Sequence, residues 1–142
     1  MPKLRHLALA TQNPEATADF YKKAFGFKEI KKISGELANG FFLSDGTLNI
    51  AILKFKKHDQ LGKGLDYVGL HHFGVVVDDV EGTIEKLESL GAECFMRPQQ
   101  DHSVSALEVK FRGPDGVVFD IAGEAWPGSA PLRSKVAETE DQ

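Results

Sequence analysis

The sequence predicts an α+β fold made of two copies of one βαβββ unit. Three observations predict it: an internal repeat at a fixed offset, matching helix punctuation in both copies, and an Asp-Gly turn before the last strand of each. Setting His6 over His72, 66 residues further on, lays "HLALATQNPEATADFYKKAFGFKEI" over "HFGVVVDDVEGTIEKLESLGAECFM". Self-similarity at a fixed period marks duplicated supersecondary units. The expected tertiary form is a curved mixed β-sheet lining a cavity, with the helices outside. The expected organisation is one domain over residues 1–125, with module 1 at about 4–55, a linker at about 56–66 and module 2 at about 67–123; residues 126–142 form a tail.

Each copy opens with a histidine and an aliphatic strand. A polar cap and an amphipathic helix follow. The first helix starts at Asn13-Pro14, an N-cap followed by a proline that the first helical turn tolerates. Its apolar stripe reads Ala16, Phe20 and Ala24. The second starts with Asp78 and Glu81 at capping-box spacing, and its stripe reads Val80, Ile84 and Leu87. Gly26 and Gly91 suit the left-handed residue that ends a helix. Strands are predicted at roughly 27–33, 36–43 and 47–55 in the first copy and at 92–97, 104–112 and 116–122 in the second. The turns "SDG" and "GPDG" precede the last of each set, because glycine accepts positive φ without strain. "KFKKHDQLGKG" (54–64) reads as an exposed connector. The tail carries no period, and Trp126 is the residue in it able to order a part.

The bulk numbers narrow the class without naming an activity. A chain of 142 residues, 42% hydrophobic and 27% charged, has enough material for one real core. A net charge of −4 offers no basic surface for nucleic acid or anionic lipid. The longest apolar runs are far short of a membrane span, and Met-Pro-Lys does not read as a secretory leader. A single cysteine, Cys94, excludes an intrachain disulfide and fits a reducing cytoplasm.

The chemistry sits at corresponding strand positions. His6 and His72 open the first strands, and Asn49 and Asp120 lie on the last strands if "LNIA" is laid over "FDIA". A gap-free alignment from the two Asp-Gly turns would put Ile50 opposite Asp120 instead. Two imidazoles and a carboxylate with open positions suit one divalent ion, Fe, Mn, Co, Ni or Zn. The Asn49 amide oxygen would be a neutral fourth ligand. Asp120 lies between Phe119 and Ile121 on a strand expected to be buried, where a carboxylate needs a cation, a proton or strong donors. His71 is expected on the opposite strand face from His72, at the surface or in a supporting hydrogen bond.

These motifs, "LHHFGVVVDDVEGTIEKLESLGAE" and "GPDGVVFDIAG" above all, resemble the vicinal oxygen chelate superfamily over about residues 4–123. That group includes glyoxalase I, methylmalonyl-CoA epimerase, extradiol dioxygenases and the bleomycin resistance proteins. The resemblance implies a metal held by His6, Asn49, His72 and Asp120, with Asp120 one methylene shorter than the family's usual glutamate. Asn49 stands where glyoxalase I carries a carboxylate and the epimerase a glutamine. Ala10 replaces an arginine by which glyoxalase I holds glutathione. The activity implied is a metal-dependent lyase or isomerase working on a small α-carbonyl substrate through an enolate-like intermediate, with Asp120 at the reaction centre. An Fe(II) ring-cleaving dioxygenase and a metal-free bleomycin-resistance-type binding protein are the alternatives. Glu36 and Glu108, on predicted strands, are candidate proton-transfer bases, and Arg97 and His102, flanking "RPQQDH", are candidate substrate contacts. Cys94 reads as a small core residue. A cytoplasmic homodimer acting on a small molecule, with no nucleic-acid or membrane partner, completes the expectation.

Overall fold

The computed structural model describes residues 1–59, 61–97 and 108–132. Among these residues, eight strands and two α-helices form the mixed α+β arrangement that the repeat predicts. The chain divides into two compact units, and it crosses between them inside β1, inside β5 and on either side of Trp126–Ser129. One unit holds His6–His72 and Trp126–Ser129; the other holds Met1–Arg5, Phe73–Ala125 and the chain from Ala130.

In the unit containing His6–His72, the strands are β1 (Lys3–Ala10, of which the part from His6 belongs here), β2 (Lys28–Ser34), β3 (Ala38–Ser44) and β4 (Asn49–Phe55). They hydrogen-bond in the order β2-β3-β4-β1. β1 and β4 run parallel, with His6 opposite Asn49 and Ala8 opposite Ala51, while β2, β3 and β4 are antiparallel neighbours. The turn into β4 is built by Asp45, whose carboxylate accepts the Thr47 and Leu48 N–H groups at 2.8 and 2.7 Å. Those donors hold its pKa below the usual carboxylate value.

Helix α1 (Pro14–Phe25) packs on β3 and β4. Asn13 caps it by accepting the Ala16 N–H at 3.1 Å, and Gly26 ends it in the left-handed conformation at φ 72°. The buried face corrects the sequence reading. Ala16, Phe20 and Ala24 are exposed, and the residue against the sheet is Ala18, with Tyr21 beside it. Alanine lets the helix approach Leu43, Ile50 and Ile52 closely, whereas Phe20 lies outside, edge-on to Tyr21. A second cluster of Ala10, Ala38 and Phe55 completes this core.

The other unit takes β5 (Gly69–Val76) from Phe73 onward, with β6 (Glu93–Met96), β7 (Val109–Arg112) and β8 (Val118–Ala122), in the order β5-β8-β7-β6. β5 and β8 are parallel, with Phe73 opposite Phe119 and Gly74 opposite Asp120. Helix α2 (Val80–Ser89) buries Ile84 against Val109, Phe111 and Ile121, with Val80 and Leu87 partly buried beside it, the stripe expected. Its cap is Asp79, not Asp78: Asp79 accepts the Gly82 N–H at 3.0 Å. A Cβ on Gly82 would collide with that carboxylate, so glycine is the residue that leaves the cap room. No helix among the described residues is long and apolar enough to cross a membrane.

Candidate functional site

His6 and His72 lie where the chain passes from one unit to the other, and both belong to the unit with Asn49 and Trp126. Their Nε2 atoms face each other at 3.2 Å. Each ring is held from behind by its other nitrogen. Asn49 is fully buried; its Nδ2 donates to the Pro127 carbonyl at 2.7 Å, which turns Oδ1 toward His6 Nδ1, also at 2.7 Å. A carbonyl only accepts, so the amide orientation is fixed and His6 donates from Nδ1. Its Nε2 is the atom that meets His72. Trp126 stacks on the same ring, with centroids 4.7 Å apart and planes at 8°.

His72 is held by a different chain of bonds. Its Nδ1 lies 2.8 Å from His71 Nδ1, and His71 Nε2 lies 3.2 Å from Asp59 Oδ2. Asp59 comes from the segment read as an exposed connector, yet it is buried. Its carboxylate accepts the Leu61, Gly62 and Lys63 N–H groups. Burial pushes the Asp59 pKa up, but the His71 contact and these three N–H groups outweigh it and keep it below the usual value. His71 is likewise buried, with Phe55 stacked on it at 4.6 Å, so it supports its neighbour and is not a surface residue.

In the other unit, Asp120 is fully buried and pairs with Lys110, its cross-strand partner, at 2.7 Å between Oδ1 and Nζ. The strand registers revise the alignment of the two copies. Because His6 and Ala8 correspond to His72 and Gly74, Asn49 corresponds to Val118, and Ala51 corresponds to Asp120. Neither alignment considered from the sequence has this offset, because the loops before the two last strands differ in length by more than the turns reveal. The first copy thus carries alanine at the carboxylate position. Asn49 sits directly opposite His6 and uses both ends of its amide on protein partners.

The remaining candidates fall elsewhere. Glu36 lies in the turn between β2 and β3, not on a strand, and its side chain is 92% exposed with Lys57 Nζ at 3.9 Å. Glu108 immediately precedes β7 and is half-buried. Arg97 is exposed and bonds to Glu81 of α2 at 2.7 Å. His102 lies outside the described residues. Cys94 belongs to the α2 core, where burial pushes its thiol pKa up against the pull of Arg97, which disfavours a nucleophilic thiolate. Sequence reasoning did not single out Asp59 or Lys110. The signal for Asp59 was a buriable acid two and three residues before Leu61 and Gly62, the spacing of a side chain that caps its own turn.

Residues 3–121 match the family described as the Glyoxalase/Bleomycin resistance protein/Dioxygenase superfamily, and the chain belongs to it. A probable lactoylglutathione lyase, chloroplastic, of Arabidopsis thaliana is 25% identical over 92% of this chain, which spans 38% of that protein's length. Among solved structures, a hypothetical protein from Bacillus halodurans C-125 superposes with a TM-score of 0.69 at 18% identity, covering 85% of this chain and 93% of its own. A methylmalonyl-CoA epimerase in complex with methylmalonyl-CoA and NH4+ gives 0.68 at 17% identity, covering 92% and 99%. Those two likenesses concern the fold.

Proposed function

We propose that this protein is a divalent-metal-dependent lyase or isomerase of the superfamily, acting on a small α-carbonyl substrate through an enolate-like intermediate. The observation that carries the reading is the pair of Nε2 atoms at 3.2 Å. With both Nδ1 atoms engaged behind, the two Nε2 atoms converge on one place, an arrangement that suits a shared cation. Imidazole nitrogens are ordinary ligands for a divalent ion such as Zn(II). Asp120 is the third ligand in this reading, a fully buried carboxylate on the last strand of its copy. Alternation along the strands also supports it: Asp120 is opposite Gly74, two residues from His72 and so on the same strand face.

A bound ion would polarise a substrate carbonyl. His6 and His72 would hold it, Asn49 would orient His6, and Lys110 would keep the Asp120 carboxylate aimed. With Glu36 in solvent, Glu108 is the remaining acidic candidate for moving the substrate proton. The Arabidopsis relative and the epimerase neighbour support a lyase or isomerase among the superfamily's activities. Ala10 still argues against glutathione. The reading includes a cytoplasmic homodimer, which gel filtration and localisation of a tagged chain would test.

The test is metal content and Co(II) or Zn(II) affinity of the wild type, His72→Ala and Asp120→Ala, followed by assays on a glutathione hemithioacetal and on methylmalonyl-CoA. Stoichiometric binding lost in both variants is expected. No divalent ion bound by the wild type would sink the metal reading. One observation favours a second reading: the Lys110 ammonium already supplies a positive charge to Asp120. In that case the chain is a metal-free binder, and ligand affinity would be insensitive to chelators.

A further inference from the structure

Trp126, Pro127, Gly128 and Ser129 form a turn that meets β1, β4, β3 and β2 in the order in which those strands hydrogen-bond. The Trp126 ring stacks on His6 of β1, and the Pro127 carbonyl accepts from Asn49 Nδ2, on β4, at 2.7 Å. The Gly128 carbonyl accepts from Ser44 Oγ, on β3, at 2.6 Å. Gly128 also sits so close to Ile30 of β2 that an added Cβ would lie 2.6 Å from its Cγ1. The turn closes on itself, because the Ser129 N–H and Oγ both donate to the Trp126 carbonyl, at 2.9 and 2.8 Å. Gly128 stands at φ 80°, the positive value that the third position of a type II turn requires, and proline favours the position before it.

This turn reaches His6 twice. Trp126 covers one face of the ring, and Pro127 holds the Asn49 amide whose Oδ1 lies 2.7 Å from His6 Nδ1. The outer torsion of a histidine side chain is broad and fixes no ring plane of its own. A bond at one edge still lets the ring tilt about that bond, and a stacked face removes the tilt. We propose that the Trp126–Ser129 turn, a segment outside both copies, is a positioning element that fixes the ring plane of His6 and so aims its Nε2 at the cation. This deepens the metal reading and rests on it. Trp126 and Pro127 act through His6 and Asn49, and neither needs to touch the ion. Partners that orient a ligating histidine typically change metal affinity about 10- to 100-fold.

Two variants test this from opposite ends of the turn. Trp126→Leu removes the stacked face and keeps apolar bulk. Gly128→Val leaves His6, Asn49 and Trp126 in place but puts a β-branched side chain at positive φ and into Ile30, which lifts the turn off β2 and β3. Trp126→Phe keeps an aromatic face and is the conservative control. The readouts are NMR order parameters of the His6 ring C–H bonds in the metal-free protein, which report how firmly the ring is held, and Co(II) titration of the intact protein. The expected result is a rigid His6 ring in the wild type and in Trp126→Phe, and a mobile one in Trp126→Leu and Gly128→Val. Co(II) affinity should fall about 10- to 100-fold in those last two and stay close to wild type in Trp126→Phe. Gly128→Val carries the test should Trp126→Leu fail to fold. An equally rigid His6 ring in the folded variants, or wild-type Co(II) affinity in them, would overturn the proposal. A wild type that binds no Co(II) would remove the metal reading alone, because ring order is measured without metal.

Discussion

Asn49 joins a strand, an imidazole and the chain near the C-terminus through one side chain. Asn49→Ala would leave the His6 Nδ1–H and the Pro127 carbonyl unsatisfied in a buried place, at about 1–3 kcal/mol for each group. Urea unfolding should show that loss, and Co(II) titration a weaker site. Lys110→Met is expected to cost about 3–5 kcal/mol, since it removes the ammonium from a fully buried carboxylate. Saturating Zn(II) should restore part of that loss if Asp120 is a ligand. Asp59 has a pH signature. Its folded pKa lies below the ordinary value, so its stabilisation is complete above about pH 4 and lost as pH falls through the folded value. Urea midpoints from pH 7 down to pH 3 should therefore fall more steeply in the wild type than in Asp59→Asn. The histidines were legible as residues because repetition singled them out, whereas Asp120 was reached through a pairing with Asn49 that the strand registers revise. Asp59 was not legible, since a lone acid among lysines and glycines reads as solvated until the backbone around it is known.

The helices and strands followed local chemistry, and their errors have local causes. The 66-residue offset runs from the first strands into the helix starts: β1 and β5 cover matching residues, and Asn13 matches Asp79 as the cap. A capping box was nevertheless placed one residue early, because Asp78-Asp79 offers two candidates and Gly82 has no side chain to answer the second. Gly82→Ala makes a sharp test. Helix propensity alone would stabilise by about 1 kcal/mol, but the Cβ meets the Asp79 carboxylate, so a net loss of about 1 kcal/mol is expected in thermal unfolding. In α1, the stripe was misassigned because alanines occur on both faces and Phe20 and Phe25 remain in water. A helix that sits close to a sheet selects for small residues, and hydrophobicity does not report that.

At the scale of the whole chain, duplication was the legible feature, and divergence between the copies was not. The copies keep their histidines in register but place alanine in one and aspartate in the other at the same last-strand position. Sequence alone aligned Asn49 to Asp120, since only hydrogen-bond register reveals a loop-length difference. The tail proved partly structural as well. Trp126–Ser129 belongs with residues 6–72, where Gly128 accepts a 2.6 Å bond from Ser44 and Trp126 is buried. Trp126→Ala should cost about 3–5 kcal/mol, measurable by urea denaturation, and should loosen His6.

Trp126 is the sole tryptophan of the chain, and its ring lies flat against His6. The protein thus contains a built-in optical probe with one emitter and one address. Ni(II) or Cu(II) arriving at His6 should quench its emission, and a colourless closed-shell ion such as Zn(II) should shift it with little quenching. Emission intensity would then follow occupancy of the site in real time, without labelling and without a known substrate.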